Sequence, residues 1–240
     1  MVVLGKKEIA GIEKAFGLVR LGTMKQNKIE LVVFDLGGVF IGVVSGWIEA
    51  YQRANFPAEV VKRIENLSEQ EQKMLGNIWY AHDTGGMGNE QVFARAGAML
   101  GMSAARIEEA SQAWLKEPFA GVGELIDELN AAGVKTACLS NTQPHHWELI
   151  TTVGSRYFLP LEKLKYRFAS HLIGQLKPGE GAYRHVMQAT QTPAERTLFF
   201  DDNDKNVQAA RDFGWQAYRI HPVPNSMTQM REHLKRHNVL

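Results

Sequence analysis

Three apolar runs in this chain end in residues that can do chemistry. Leu31 to Phe34 stops at Asp35, Val134 to Leu139 at Ser140-Asn141-Thr142, and Thr197 to Phe200 at Asp201-Asp202-Asn203. Lys177-Pro178 lies between the second and third, in a loop opened by Gly174. Together they would supply a carboxylate nucleophile, hydroxyl and amide donors, a fixed cation, and a carboxylate cluster for a divalent metal. That inventory suits phosphoryl transfer, in which Mg²⁺ and lysine neutralise the phosphoryl oxygens while an aspartate attacks in line.

A parallel sheet would bring these residues together. The first run is apolar on both faces and enters Gly37-Gly38, the pattern of a buried parallel strand ended by a glycine turn. A helix with Val122, Leu125, Ile126 and Leu129 on one face precedes the second run, and Gly133 sits where its C-terminal cap is needed. A helix carrying Val207, Ala210 and Phe213 follows the third run, closed by Gly214, and Trp215 to Ile220 reads as a fourth strand. This alternation predicts an α/β core with a mainly parallel sheet covered on both faces. In such sheets the carboxyl ends of neighbouring strands share one crevice, where ligands bind.

Between the first and second strands lie roughly 75 residues without a strand signal. Trp47, Ile48 and Tyr51, then Val60, Val61 and Ile64, then Val92, Phe93, Ala96, Met99 and Leu100 all follow helical spacing. A crossover needs only a dozen or so residues, so residues 42–118 are predicted to be an inserted all-helical domain, leaving 29–41 and 119–240 as the core. Residues 1–28 read as an N-terminal extension. Within it Ile9, Ile12, Phe16 and Val19 suit a short amphipathic helix, and Met24 is read either as the physiological start or as part of a chain whose helix packs on the domain surface.

The chain has 240 residues, 45% of them hydrophobic and 22% charged, which excludes a mainly disordered or low-complexity protein. Lysine and arginine number 27 against 26 acidic residues, so no general attraction to nucleic acid or an anionic membrane is expected. The lone Cys138 excludes an intramolecular disulfide and fits a reducing compartment. With no long apolar run and no secretory pattern, a cytoplasmic location is expected.

Phe34-Asp35-Leu36-Gly37-Gly38-Val39, Leu139-Ser140-Asn141-Thr142, Gly174-Gln175-Leu176-Lys177-Pro178 and Phe199-Phe200-Asp201-Asp202-Asn203 resemble the four ordered motifs of the haloacid dehalogenase superfamily. Each motif alone is weak, but four in order on strands and loops make a strong signal. The resemblance covers residues 29–220 and implies a Rossmann-like core, with the helical insert as a cap domain. It is nearest to phosphatases with Asp-Leu-Gly-Gly or Asp-Leu-Gly-Asn in the first motif, including bacterial glucose-1-phosphate phosphatases.

Carried over, the resemblance makes Asp35 the nucleophile that forms an aspartyl-phosphate and a magnesium ligand, with the carbonyl of Gly37 a second ligand. Ser140 and the amide of Asn141 would hold a phosphoryl oxygen, and Lys177 would neutralise it. Asp202 would bind magnesium directly. Asp201 is either a further ligand or an acceptor that orients Lys177, and Asn206 has an indirect role. Thr142 and Asn141 either line the phosphate site or cap the following helix. His146 is a candidate substrate contact, because similar proteins often have a His-Trp pair there, whereas His145 has no partner spacing for a metal. Trp47, Tyr51, Trp79 and His82 are weighed as core residues of which one or two could reach the ligand. Gly85-Gly86-Met87-Gly88 follows no strand and is read as a turn, and Arg231 to His237 as the solvated part of a final helix.

Gly37 departs from the usual pattern, in which an aspartate two residues after the nucleophile protonates the leaving alcohol. Losing such a group typically costs ~10²–10⁴-fold in rate. Three consequences are open: substrates with better leaving groups, such as sugar 1-phosphates or acyl phosphates; protonation by another group; or a catalytically weak binding module. A metal-free 2-haloacid dehalogenase is the rival enzyme, but Asp201-Asp202 and Phe200 favour metal and phosphate. The resemblance further implies a small phosphorylated substrate and a monomer or homodimer.

Overall fold

The computed structural model describes residues 28–222 and 225–240, so the expectations for residues 1–27, including Met24 and the Ile9–Val19 helix, lie outside it. At its centre is β1 (Leu31–Phe34), flanked by β4 (Lys135–Ser140) and β6 (Thr197–Asp201); β5 (Tyr166–Ala169) and β7 (Gln216–Arg219) complete the sheet. The order is β5-β4-β1-β6-β7, with every pairing parallel. Phe34 lies level with both Cys138 and Phe200, which puts Asp35 one step beyond the last central pairing.

The central strands are apolar through their middles, Leu31–Phe34, Ala137–Leu139 and Leu198–Phe200, because the sheet is buried on both sides. Val32, Phe34, Leu198 and Phe200 face one cluster, shared with α6 (Val122–Ala131) and α11 (Ser226–Arg236) through Leu125, Leu129, Met230 and Leu234. Leu31, Val33, Ala137 and Phe199 face the other, shared with α9 (Glu180–Thr190) and α10 (Asp204–Asp212) through Tyr183, Val186, Val207 and Ala210. Cys138 is fully buried, and burial pushes its thiol up to about 12, which leaves it chemically inert. Arg231, in the basic final helix, pairs with Glu128, while Met230 and Leu234 turn inward.

β5 was not predicted. It is a four-residue edge strand whose Arg167 is exposed, so it lacks the continuous apolar signal of its neighbours. Five helices follow β1: α1 (Trp47–Arg53), α2 (Ala58–Glu65), α3 (Glu69–Asp83), α4 (Asn89–Leu100) and α5 (Ala104–Ala113). They share a third apolar cluster built on Tyr51, Trp79, Val92, Phe93 and Ile107. The ends of this segment hold a second unpredicted feature, the antiparallel ribbon of β2 (Ile41–Val43) and β3 (Leu115–Pro118). Three or four residues are too few for a period-2 pattern to register. The expected boundaries at 42 and 118 fall inside this ribbon.

The Gly85–Gly88 segment is a turn between α3 and α4. Gly85 takes φ +76°, and a Cβ there would stand 2.2 Å from the His171 carbonyl oxygen in α8 (Ser170–Ile173), so this turn seats directly on the core. Among the described residues no helix is long and apolar enough to cross a membrane.

Candidate active site

The carboxyl ends of β1, β4 and β6 open into a cavity of about 270 Å³. Asp35, Gly37, Ser140, Asn141, Thr142, His146 and Asp202 all line it, so the structure gathers residues that lie up to two thirds of the chain apart. Asp35 is 8% exposed. Its Oδ1 accepts the Leu36 N–H at 2.7 Å and lies 3.0 Å from Lys177 Nζ, which leaves Oδ2 as the oxygen turned to other work.

Lys177 is buried and stands between two carboxylates, donating to Asp201 Oδ2 at 2.6 Å and facing Asp35. Burial by itself would lower its pKa; the two carboxylates outweigh it and hold the ammonium charged, with the pKa raised. Asp201 is wholly buried. Its Oδ1 accepts from the Asn203 N–H at 2.8 Å, and Asn206 Nδ2 donates to both oxygens at 3.1 Å. With Lys177 added, both oxygens have partners inside the protein. Asn206 is thus tied to Asp201 by its side-chain amide.

Asp202 is half-buried, its carboxyl held above the usual range by burial and by Asp201. A Cβ on Gly38, which takes φ +71°, would stand 2.2 Å from Asp202 Oδ2, so only glycine lets this carboxylate approach the first motif. Carboxylate oxygens of Asp35, Asp201 and Asp202 lie within 4.8 Å of one another. A cluster of hard oxygen donors suits Mg²⁺, and the free atoms, on Asp35 and Asp202, match its habit of taking one or two carboxylates. Burial, reinforced by Asp201 and Asp202 and opposed by Lys177, pushes Asp35 up to about 7.

Ser140, the last residue of β4, is nearly buried, and its hydroxyl makes no hydrogen bond among the described residues. Asn141 does not cap the next helix. It instead clamps the Lys177 loop, its Nδ2 donating to the Lys177 carbonyl and its Oδ1 accepting the Lys177 N–H, each at 2.8 Å. Nor does Thr142 serve as a cap, since α7 (Pro144–Thr151) begins after Gln143 with no side-chain cap. The Thr142 N–H donates to Ser170 Oγ at 2.9 Å, tying β4 to α8. These two residues fasten neighbouring segments, Asn141 from an exposed position and Thr142 from a buried one, because the turn continues for another residue before the helix starts.

His146 lines the cavity, but its Nε2 donates to the Ser111 carbonyl of α5 at 2.7 Å. Burial drives its pKa down to about 3, so the ring is neutral. His145 turns away from the cavity, edge-on to Phe93 and 4.0 Å from Glu108. None of Trp47, Tyr51, Trp79 and His82 lines the cavity, correcting the expectation that one or two would reach it. Trp47 stacks on Trp79 at 4.2 Å and Tyr51 is buried beside Phe56. His82 is buried with its Nε2 2.8 Å from Asn89 Oδ1. The aromatic residue that does line it is Trp114, at the end of α5 and against Trp47 at 4.9 Å. No sequence signal distinguishes it from the other tryptophans; the β2–β3 ribbon decides its position.

A family model for haloacid dehalogenase-like hydrolases matches residues 29–214. The sesquiterpene phosphatase astK of Aspergillus oryzae is 26% identical over 156 residues, 59% of this chain and 74% of that protein. The GMP/IMP nucleotidase YrfG of Escherichia coli is 31% identical over 90 residues, 37% of this chain and 38% of that protein, well under half its length. A haloacid dehalogenase family enzyme from Bacteroides thetaiotaomicron, solved with magnesium and inorganic phosphate, superposes with a TM-score of 0.68 at 20% identity, over 85% of this chain and all of that one.

Proposed function

The chain belongs to the haloacid dehalogenase-like hydrolases, and from that premise we propose that it is a Mg²⁺-dependent phosphatase of small phosphate monoesters working through a phosphorylated Asp35. The observation that carries this reading is the row Asp35–Lys177–Asp201, with Asp202 alongside and Asp35 Oδ2 left free. A metal-free halide displacement has no use for three clustered carboxylates. The phosphatase and nucleotidase relatives, and the magnesium and phosphate held by the Bacteroides enzyme, support the same choice.

In this reading Asp35 and Asp202, with the Gly37 carbonyl, hold Mg²⁺, which supplies charge neutralisation to the phosphoryl oxygens when bound. Asp201 positions Lys177 rather than ligating. Ser140 Oγ and the Asn141 N–H hold one phosphoryl oxygen, and Lys177 offsets its charge. Asp35 attacks phosphorus with one carboxylate oxygen while the other would serve the metal, the ester P–O bond breaks, and the alcohol oxygen departs with the electron pair and is protonated by solvent. Water then attacks the phosphorus of the acyl phosphate, releasing inorganic phosphate, a proton and free Asp35. His146 is neutral and its Nε2–H is engaged by Ser111, so it contributes a wall rather than a proton.

The helices over 47–113 act as the cap, closing over the cavity and excluding bulk water. A cytoplasmic location belongs to the same reading, and Gly37, which provides no acid, leaves sugar 1-phosphates as one candidate substrate class because an anomeric oxygen leaves without strong protonation. The test is phosphate release from a metabolite panel with and without Mg²⁺, beside Asp35→Asn. Metal-dependent release that vanishes in the variant is the expected result; release that survives it overturns the reading.

A further inference from the structure

Beyond the phosphate end, the cavity changes character. Ile41 and Val43 from β2, Leu115 from β3, Trp114 from α5 and Ile150 from α7 form its remaining wall. Ile41, Leu115 and Ile150 are nearly fully buried, so their exposed remnants face inward. Ile41 and Val43 both line the cavity although the ribbon's register shifts between them, and Val43 pairs with Leu115 across it. A Cβ placed on Gly37 would meet Val43 Cγ1 at 3.4 Å. The space into which an acid at residue 37 would grow is thus bordered by a hydrocarbon side chain.

Several polar groups that share this wall are already engaged, leaving Thr142 Oγ1, Asn203 Nδ2 and Asn206 Oδ1 as the ones without a partner among the described residues. Both ends of the Asn141 amide hold the Lys177 backbone, and Asn206 Nδ2 serves Asp201. Asn203 Oδ1 caps α10 through the Lys205 N–H at 2.9 Å, and His146 Nε2 is given to Ser111. A leaving group rich in hydroxyls would lose its water here and regain few hydrogen bonds, and each polar group left unpaired weakens binding. An apolar body loses nothing and gains the burial of its surface.

We propose that the phosphatase site accepts phosphate monoesters of compact apolar alcohols, with Val43, Trp114 and Ile150 selecting the hydrocarbon body. This rests on the phosphatase reading above and narrows its substrate class away from sugars. A volume of about 270 Å³ limits the body to about one ring or a short isoprenoid unit once the phosphate is seated, for it lies at the lower edge of ligand clefts, typically ~300–1,000 Å³.

The experiment compares kcat/KM for benzyl phosphate, dimethylallyl phosphate and glucose 1-phosphate in the Mg²⁺-loaded protein, after p-nitrophenyl phosphate has tested turnover against Asp35→Asn. Benzyl alcohol is a weaker acid than the anomeric hydroxyl, so leaving-group chemistry favours the sugar and only the wall can reverse the order. We expect an apolar ester to exceed glucose 1-phosphate by about tenfold or more. Benzyl over dimethylallyl phosphate would identify an aryl body, and the reverse an isoprenoid one. Val43→Asn should reduce the apolar-to-sugar ratio by about tenfold, and Ile150→Asn is the second variant if the first does not fold. Glucose 1-phosphate equal or superior to both esters, with the p-nitrophenyl control intact, overturns the inference alone. Loss of the Asp35-dependent control overturns the phosphatase reading and this inference with it.

Discussion

Asn141 and Lys177 are 36 residues apart in sequence and are joined by two hydrogen bonds of 2.8 Å, side-chain amide to backbone at both ends. This pair fixes the loop that carries Lys177 to the strand end that carries Ser140. Asn141→Ala would leave the Lys177 N–H and carbonyl unpaired, at a cost of ~1–3 kcal/mol. Denaturant melts should show that loss, and kcat should fall more than KM rises because Lys177 then wanders from the reacting phosphate.

Lys177→Met would remove the cation between two buried carboxylates. Breaking a buried pair in this way destabilises by about 3–5 kcal/mol. Thermal unfolding without metal should show this loss, and added Mg²⁺ should recover part of it by neutralising Asp35 instead. A variant as stable as the parent without metal would show that Lys177 is not what compensates these charges.

Asp35, raised to about 7 by burial in the metal-free protein, predicts proton competition with the metal. Below that pH the carboxyl holds a proton that Mg²⁺ must displace; above it none is held. Isothermal titration should therefore find Mg²⁺ affinity falling as pH drops from 8 to 6, by up to about tenfold per unit. The stability sign is the opposite of a salt-bridged aspartate: the raised group favours folding below the unfolded carboxylate range and loses that advantage as pH rises through 7. Asp35→Asn should accordingly raise the metal-free melting temperature at pH 8 more than at pH 5.

His146, lowered to about 3 by burial, gives the contrary slope. Its neutral form is favoured in the folded state, so its contribution is fully present above an ordinary histidine pKa of ~6.5 and is lost as pH falls toward 3. His146→Gln should make acid unfolding shallower over that window. An unchanged acid limb would mean that His146 is protonated in the folded protein.

Gly37→Asp should introduce the missing proton donor, with its Cβ in ordinary contact with Val43 Cγ1 at 3.4 Å. With Val43→Ala added, turnover of alkyl phosphates should rise by up to about 10² while that of p-nitrophenyl phosphate, which needs no protonation, stays nearly level. The slope of rate against leaving-group acidity measures this directly.

The amino-acid sequence by itself determined the three central strands, the polar groups at their ends and the Lys177 loop between the second and third. Strands buried on both faces must be written as unbroken apolar runs, and the residues that stop them stand out against that background. The left-handed turns at Gly38 and Gly174 were legible for a related reason, since few other residues accept positive φ. Edge strand β5 and the β2–β3 ribbon were not, being too short and too mixed in polarity to carry a period. What only the tertiary structure decided is the division of labour among neighbours of identical type. Asp201 and Asp202 are adjacent aspartates, yet β6 turns one inward to Lys177 and Asn206 and leaves the other beside the cavity. Likewise five tryptophans look alike in sequence, and only the ribbon's position sets Trp114 against the cavity while Trp47 and Trp79 stack behind it. Side-chain roles at a crevice depend on which strand face and which loop approach it, and those are long-range pairings that no local spacing records.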